Sequence, residues 1–239
     1  MTKAILITGA AARIGCILAR GLADDGWAVA VHYNRSAKPA RALAEELGGN
    51  SAAVGANLNV PSERDSLIAR ASAALGTPLT ALINNASTFA PDEVDSFSAA
   101  SFDHHMDVNL KAAVMLSQQF VAALPNSENG TIINMIDQRV FRPAPDYFTY
   151  SLSKAGLLAA TKTMAQALAP RVRVCGIGPG ATLQNTHQSQ DDFNAEIKAS
   201  LSGEGSPPET ILHAARYLLS ASAVTGQMIA VDGGEHLIF

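Results

Sequence analysis

The feature that most constrains this chain is an alternation. Short apolar runs at 4–8, 28–33, 52–55, 81–84, 130–135, 172–177 and 228–231 are separated by longer stretches with helical spacing, near 13–24, 38–48, 62–76, 101–123, 150–169 and 208–220. Most of the short runs are apolar throughout, without polar alternation, as in strands covered on both faces. Such strands, joined through helices, predict a Rossmann-like, doubly wound parallel α/β sheet of about seven strands flanked by helices. The chain has 239 residues and no long linker, low-complexity tract or solenoid repeat, so the expectation is one domain over 1–239. The polar stretch 181–205 lacks strand signal and is expected to form a substrate loop.

Composition narrows the function classes. Apolar residues make up 48% of the chain, charged residues 16%, and the net charge is −4. That balance offers no basic stripe for nucleic acid. No run reaches the length of a membrane span, and the first apolar run is too short for a signal peptide. A soluble, cytoplasmic protein with a small-molecule substrate is the expectation. Cys16 and Cys175 each lie in an apolar run and read as core residues, not as part of a disulfide or metal framework.

The first turn, Thr8-Gly9-Ala10-Ala11-Ala12-Arg13-Ile14-Gly15, follows a strand and opens a helix. That is the context a dinucleotide fingerprint needs: Gly9 for a tight turn, Gly15 for close helix–strand packing, and free N–H groups at the helix start for a pyrophosphate. A plain strand–helix turn would carry the same glycines, but the position favours cofactor binding. The second strand ends in His32-Tyr33-Asn34-Arg35-Ser36, with no carboxylate from 29 to 41. An acid there would hold a ribose diol; Arg35 and Ser36 suit a 2′-phosphate, so the expected cofactor is NADP(H). Asn57 and Leu58 follow the third strand, where an amide meets an adenine edge. Asn85, Ala86, Ser87 and Phe89 follow the fourth, at the strand ends where such sheets bind ligands.

Tyr150 and Lys154 are four residues apart and share one face if the stretch is helical. A lysine beside a phenol favours the phenolate and lowers its pKa from about 10, toward the range where proton transfer is useful. An ordinary helix start with a surface lysine has the same letters, so context must decide. Asn109 reads either as a buried amide at a helix kink or as part of a proton path.

Thr8-Gly9, Gly15, Asn84-Asn85-Ala86, Asn109, Tyr150, Lys154, Pro179-Gly180, Thr225-Gly226 and Asp232-Gly233-Gly234 occur in the order found in short-chain dehydrogenase/reductases, and the chain resembles that family over nearly its whole length. Two departures matter. Arg13 stands where the family usually has glycine, and Asp137 stands thirteen residues before the tyrosine, where it usually has serine. With the 32–36 run and Asn85-Ala86-Ser87-Thr88-Phe89, these resemble pteridine reductases and the related dihydromonapterin and dihydrofolate reductases. The resemblance implies an Asp137–Tyr150–Lys154 set and Asn109 as its water-ordering partner. It also implies that Phe89 stacks on the pterin, that Arg13 reaches the pterin or a cofactor phosphate, and that Ser87 contacts both. Asn57 stands where an aspartate is common. Pro179 and Gly180 join the cofactor residues, and a homotetramer is implied, for which the alanine-rich stretch 155–169 offers a packing face. The readings carried forward are an NADPH-dependent pteridine reductase, a reductase of a carbonyl or alcohol such as a 3-oxoacyl thioester or a sugar, and a non-catalytic nucleotide-binding regulator. The intact Tyr150 and Lys154 speak against the last.

Overall fold

Strands β1 (Ala4–Ile7), β2 (Ala28–Tyr33), β3 (Ala52–Gly55), β4 (Ala81–Asn84), β5 (Gly130–Met135), β6 (Val172–Pro179) and β7 (Met228–Val231) coincide with the apolar runs. The computed structural model describes residues 3–185 and 188–238. Within them the strands form one parallel sheet in the order β3-β2-β1-β4-β5-β6-β7. Because every connection crosses over through a helix, both faces are covered, which is why the strands lack polar alternation. Ile5, Ile7 and Val31 pack on one face with Leu18, Leu22, Leu43 and Ile211, from α1 (Arg13–Asp24), α2 (Ala37–Leu47) and α9 (Pro208–Ser220). Leu6, Leu82 and Ile132 pack on the other with Leu67, Leu116 and Phe120, from α4 (Leu67–Leu75) and α6 (Ala112–Ala123). Among the described residues no helix is long and apolar enough to cross a membrane.

Three helical stretches differ from the sequence expectation. The stretch 62–76 is two helices, α3 (Pro61–Asp65) and α4, which meet at Ser66; the Ser66 hydroxyl bonds back to Ser62 O and Glu63 O. The stretch 101–123 is α5 (Ala99–His105) and α6 joined by a π-helical turn over Met106–Lys111, a widening that recurs at functional sites. The loop expected at 181–205 contains a helix, α8 (Gln190–Ala199), capped by Ser189 Oγ accepting from Asp192 N at 3.1 Å. Its signals were present in the letters: a serine cap, Asp191 and Asp192 in the first turn, Lys198 in the last. The helix carrying Tyr150, α7, spans Phe148–Leu168.

The sheet order reverses beside β1. β2 and β4 lie on opposite sides of it, so the loops after β1 and β4 diverge there and open a crevice at the carboxyl ends of the strands.

Candidate active site

The crevice is a cavity of about 940 Å³. Its floor is the first turn. Gly9 has φ +65°, a conformation that an L side chain strains to adopt. A Cβ on Gly15 would lie 2.4 Å from Gly9 O and 2.7 Å from Asn85 Nδ2, so helix and turn approach this closely only with glycine there. Helix α1 is preceded by Ala12, which provides no side-chain cap, and has no acid in its first turn; Ala12, Arg13, Ile14 and Gly15 line the cavity. Uncapped N–H groups facing a cavity are a cradle for a phosphate.

Two flanking groups hold this turn. Asn85 Nδ2 donates to Thr8 O at 2.8 Å and Gly9 O at 3.3 Å, while Thr8 Oγ1 accepts from the N–H groups of Asn85 and Ala86, both at 2.9 Å. From the other side, His32 Nδ1 accepts from Gly9 N at 3.0 Å and its Nε2 faces Ala56 O at 3.1 Å. That pattern requires a neutral imidazole with its proton on Nε2, and burial holds the ring neutral by lowering its pKa to about 4. His32 therefore spends its polar atoms on backbone and shapes the turn. Asn34, Asn57 and Leu58 line the same end of the cavity; Tyr33 packs into the core, and Arg35 and Ser36 follow on the exposed turn beside Asn34. Pro179 and Gly180 line the opposite wall.

Arg13 has φ +54°, in the region where glycine is at ease. The backbone itself thus accounts for the usual glycine, and holding an arginine there costs on the order of 1–3 kcal/mol. Its guanidinium donates to Leu183 O and Gln184 O, both at 3.0 Å, and so ties the start of α1 to the loop across the cavity.

At the centre, Tyr150 Oη donates to Asp137 Oδ2 at 2.6 Å. The other carboxylate oxygen, Oδ1, accepts from Arg139 N at 2.8 Å. Lys154 Nζ donates to Met135 O at 2.8 Å and lies 5.5 Å from the centre of the Tyr150 ring. These contacts correct the expected tuning. Burial first, and then the Asp137 carboxylate, push the Tyr150 phenol well above its ordinary value. Burial lowers Lys154 to about 8, opposed by Asp137. The lysine is present but does not dominate: its nitrogen is held by a backbone carbonyl, while the carboxylate touches the hydroxyl. Asp137 itself is raised by burial, against the bonds it accepts. The pair therefore holds a proton more tightly than either group would in water, and its titration belongs to both.

Phe89 stacks on Tyr147, with ring centres 4.0 Å apart and planes 5° apart, and meets Tyr150 edge-on at 4.6 Å. Tyr147 is the residue sequence reasoning missed. It precedes α7 with φ +53°, three positions before Tyr150, and Arg139, paired with Asp146 at 2.9 Å, lies over its ring at 5.3 Å. The aromatic three residues before the tyrosine was its only sequence signal. Ser87 Oγ donates to Asn109 Oδ1 at 3.1 Å. Asn109 sits in the π-helical turn, where its amide donates to Thr88 O and Ser153 Oγ, each at 3.0 Å. Of its two readings, the buried amide at a distorted turn is the one these contacts describe.

Known proteins similar to this chain match it over nearly its whole length. The sequence profile of the short chain dehydrogenases matches residues 3–195. A 3-oxoacyl-[acyl-carrier-protein] reductase FabG of Staphylococcus epidermidis is 30% identical, covering 99% of this chain and 100% of that protein. A 3beta-hydroxysteroid dehydrogenase 1 of Eggerthella lenta is 32% identical, covering 98% and 94%. Among solved structures, FolM Alternative dihydrofolate reductase 1 from Brucella canis, complexed with NADP, superposes with a TM-score of 0.96 at 39% identity, covering 99% of this chain and 95% of that one. The Brucella suis protein of the same name, also with NADP, gives 0.96 and 39%, covering 100% and 98%.

Proposed function

The chain belongs to the short chain dehydrogenase family and is an oxidoreductase, and on that premise we propose that it is an NADPH-dependent reductase of a pteridine C=N bond, of dihydropterin or dihydrofolate type. The observation that carries this reading is the 2.6 Å bond from Tyr150 to Asp137, with the Phe89 ring meeting Tyr150 edge-on at 4.6 Å. A carbonyl reductase gathers neutral donors around the oxygen that becomes negative, and an ionised carboxylate would repel it. Reducing a C=N bond instead ends with a proton on nitrogen, and an acid that keeps its proton suits that task. The NADP complexes of the two Brucella proteins support the cofactor.

The cavity suits such a cofactor. The uncapped start of α1 and the Gly9 turn would hold its pyrophosphate; Asn57 and Leu58 its adenine end; Arg35 and Ser36 its 2′-phosphate; Lys154 its nicotinamide ribose. Bound NADPH supplies the hydride. Tyr150 Oη and Asp137 Oδ2 hold the proton for the ring nitrogen, Phe89 offers the flat ring a face, and Arg13 and Ser87 border the same space. The chain is further proposed to assemble as a homotetramer through the outer face of α7, where Leu152 is 42% exposed. Light scattering on the purified protein checks this.

The second reading, a 3-oxoacyl thioester reductase, is favoured by the end-to-end match to the staphylococcal reductase. A protonated Asp137 would serve it as a neutral donor. Steady-state NADPH oxidation with dihydrobiopterin, dihydromonapterin, dihydrofolate and an acetoacetyl thioester separates the two. Efficient turnover of at least one pteridine is expected, and efficient reduction of the thioester alone would overturn the first reading.

Cofactor choice is a separate prediction. Arg35→Ala is expected to weaken NADPH by on the order of 1.5–3 kcal/mol, the worth of one charge-assisted contact, and to leave NADH nearly unchanged. Cofactor KM values for both proteins test it; equal wild-type efficiency with NADH and NADPH would refute it.

A further inference from the structure

Phe89 is held from both sides by one helical segment. On its N-terminal side, Thr88 N–H donates to Asn109 Oδ1 at 2.8 Å and Thr88 O accepts from Asn109 Nδ2 at 3.0 Å. On its C-terminal side, Ala90 N–H donates to His105 Nε2 at 3.2 Å. His105 closes α5, and the π-helical turn holding Asn109 begins at the next residue. Both side chains are buried, His105 at 1% exposure.

The His105 contacts run in one direction. Since Nε2 accepts, the ring is neutral and its proton is on Nδ1. That proton goes to Thr149 Oγ1 at 2.7 Å, and the Thr149 hydroxyl donates to Asp92 Oδ2. Asp92 Oδ2 also takes the Ser101 hydroxyl at 2.6 Å, Oδ1 takes Thr149 N–H at 2.9 Å, and the Asp92 carbonyl takes Phe148 N–H at 3.1 Å. Asp92 thus caps the first turn of α7, where Tyr147 provides no side-chain cap. Burying an imidazole and a carboxylate is costly unless each is paired, and a residue that only filled space would not need this polarity.

We propose that His105 is a positioning residue. Through Ala90 it fixes the segment bearing Phe89, and through Thr149 and Asp92 it fixes the start of the helix bearing Tyr150, so that the aromatic face and the proton donor keep one spacing. The value of that spacing for turnover rests on the pteridine reading; the clamp itself does not. His105→Gln keeps an acceptor within reach of Ala90 N–H, whereas His105→Asn keeps a donor toward Thr149 and loses that acceptor. In the full chain, His105→Asn is expected to speed amide hydrogen exchange across 88–92 by about five- to tenfold, the loss of one buried hydrogen bond. It is expected to raise the dihydrobiopterin KM by a similar factor, with kcat and the NADPH KM little changed. His105→Gln is expected to return both readouts part of the way, because it restores the acceptor for Ala90 N–H but not the donor to Thr149. If His105→Asn folds poorly, Thr149→Val, nearly isosteric, removes the acceptor for Nδ1–H and is expected to loosen the same amides. Exchange and KM at wild-type values in His105→Asn, or a His105→Gln no better than His105→Asn, would overturn the proposal. A wild type that reduces no pteridine but shows the exchange pattern would remove the pteridine reading and leave the clamp standing.

Discussion

Tyr150→Phe is expected to bind NADPH as the wild type does and to lose turnover by about 10²-fold or more, the usual worth of a positioned acid–base group. The substitution keeps the ring that meets Phe89 edge-on and removes only the hydroxyl that donates to Asp137. Lys154 is anchored independently on Met135 O, so the lysine face of the cavity is not disturbed. Lys154→Ala, by contrast, is expected to damage both cofactor binding and turnover. The pH dependence follows from the direction of the shifts. Asp137 and Tyr150 both sit above their ordinary values, so the pair keeps its proton as pH rises through the usual carboxylate range. The wild-type rate should therefore hold as pH rises through the usual carboxylate range and fall at higher pH, where the pair gives up that proton. Steady-state and single-turnover rates across pH test both points. Normal turnover by Tyr150→Phe would exclude this residue as the proton donor.

The fold was legible because burial on both faces leaves a mark: β1 is apolar throughout, β2 and β4 are apolar up to their last residues, and several such strands joined through helices fit a covered parallel sheet. Helix ends were less legible. The break at Ser66 depends on a hydroxyl turning back onto Ser62 O and Glu63 O, a local competition that periodicity does not register. The π-helical turn over Met106–Lys111 surrounds the buried amide of Asn109, a contact across 21 residues to Thr88. In the site, the letters identified residue types but not which polar atoms remain free. His32 looked like a ligand contact by position, yet both its ring nitrogens are used by backbone. Tyr150 looked tuned by Lys154, because a four-residue spacing is local and readable. The partner that touches its hydroxyl, Asp137, comes from the end of another strand, and burial outweighs the lysine. Tyr147 was missed for a related reason: its importance lies in a left-handed backbone that aims the ring at Phe89, which residue identity does not encode.

Asp137→Ser and Phe89→Ala bear on substrate class rather than family. Position 137 sets the charge next to the Tyr150 hydroxyl. Serine restores the neutral donor that a developing oxyanion prefers, but it has no carboxyl to share a proton with the Tyr150 phenol. Pteridine turnover should fall in Asp137→Ser while the protein stays folded, and the alkaline limb of the rate profile should change with the loss of the shared proton. Phe89 has a flat face in contact with Tyr147 and an edge relation to Tyr150, the proton donor. Its removal should weaken pteridine binding by about 1–3 kcal/mol, taking the magnitude measured for bases stacked on aromatic side chains. A small acyl ketone has no comparable face and should lose little. Both variants and the wild type should be assayed with dihydrobiopterin and with an acetoacetyl thioester, and circular dichroism should confirm folding. Pteridine activity that survives both substitutions would remove the case for a pteridine substrate. The oxidoreductase assignment would stand, because the Gly9–Gly15 turn, the Asn85 anchor and the Tyr150–Lys154 helix face do not depend on what lies at 89 or 137.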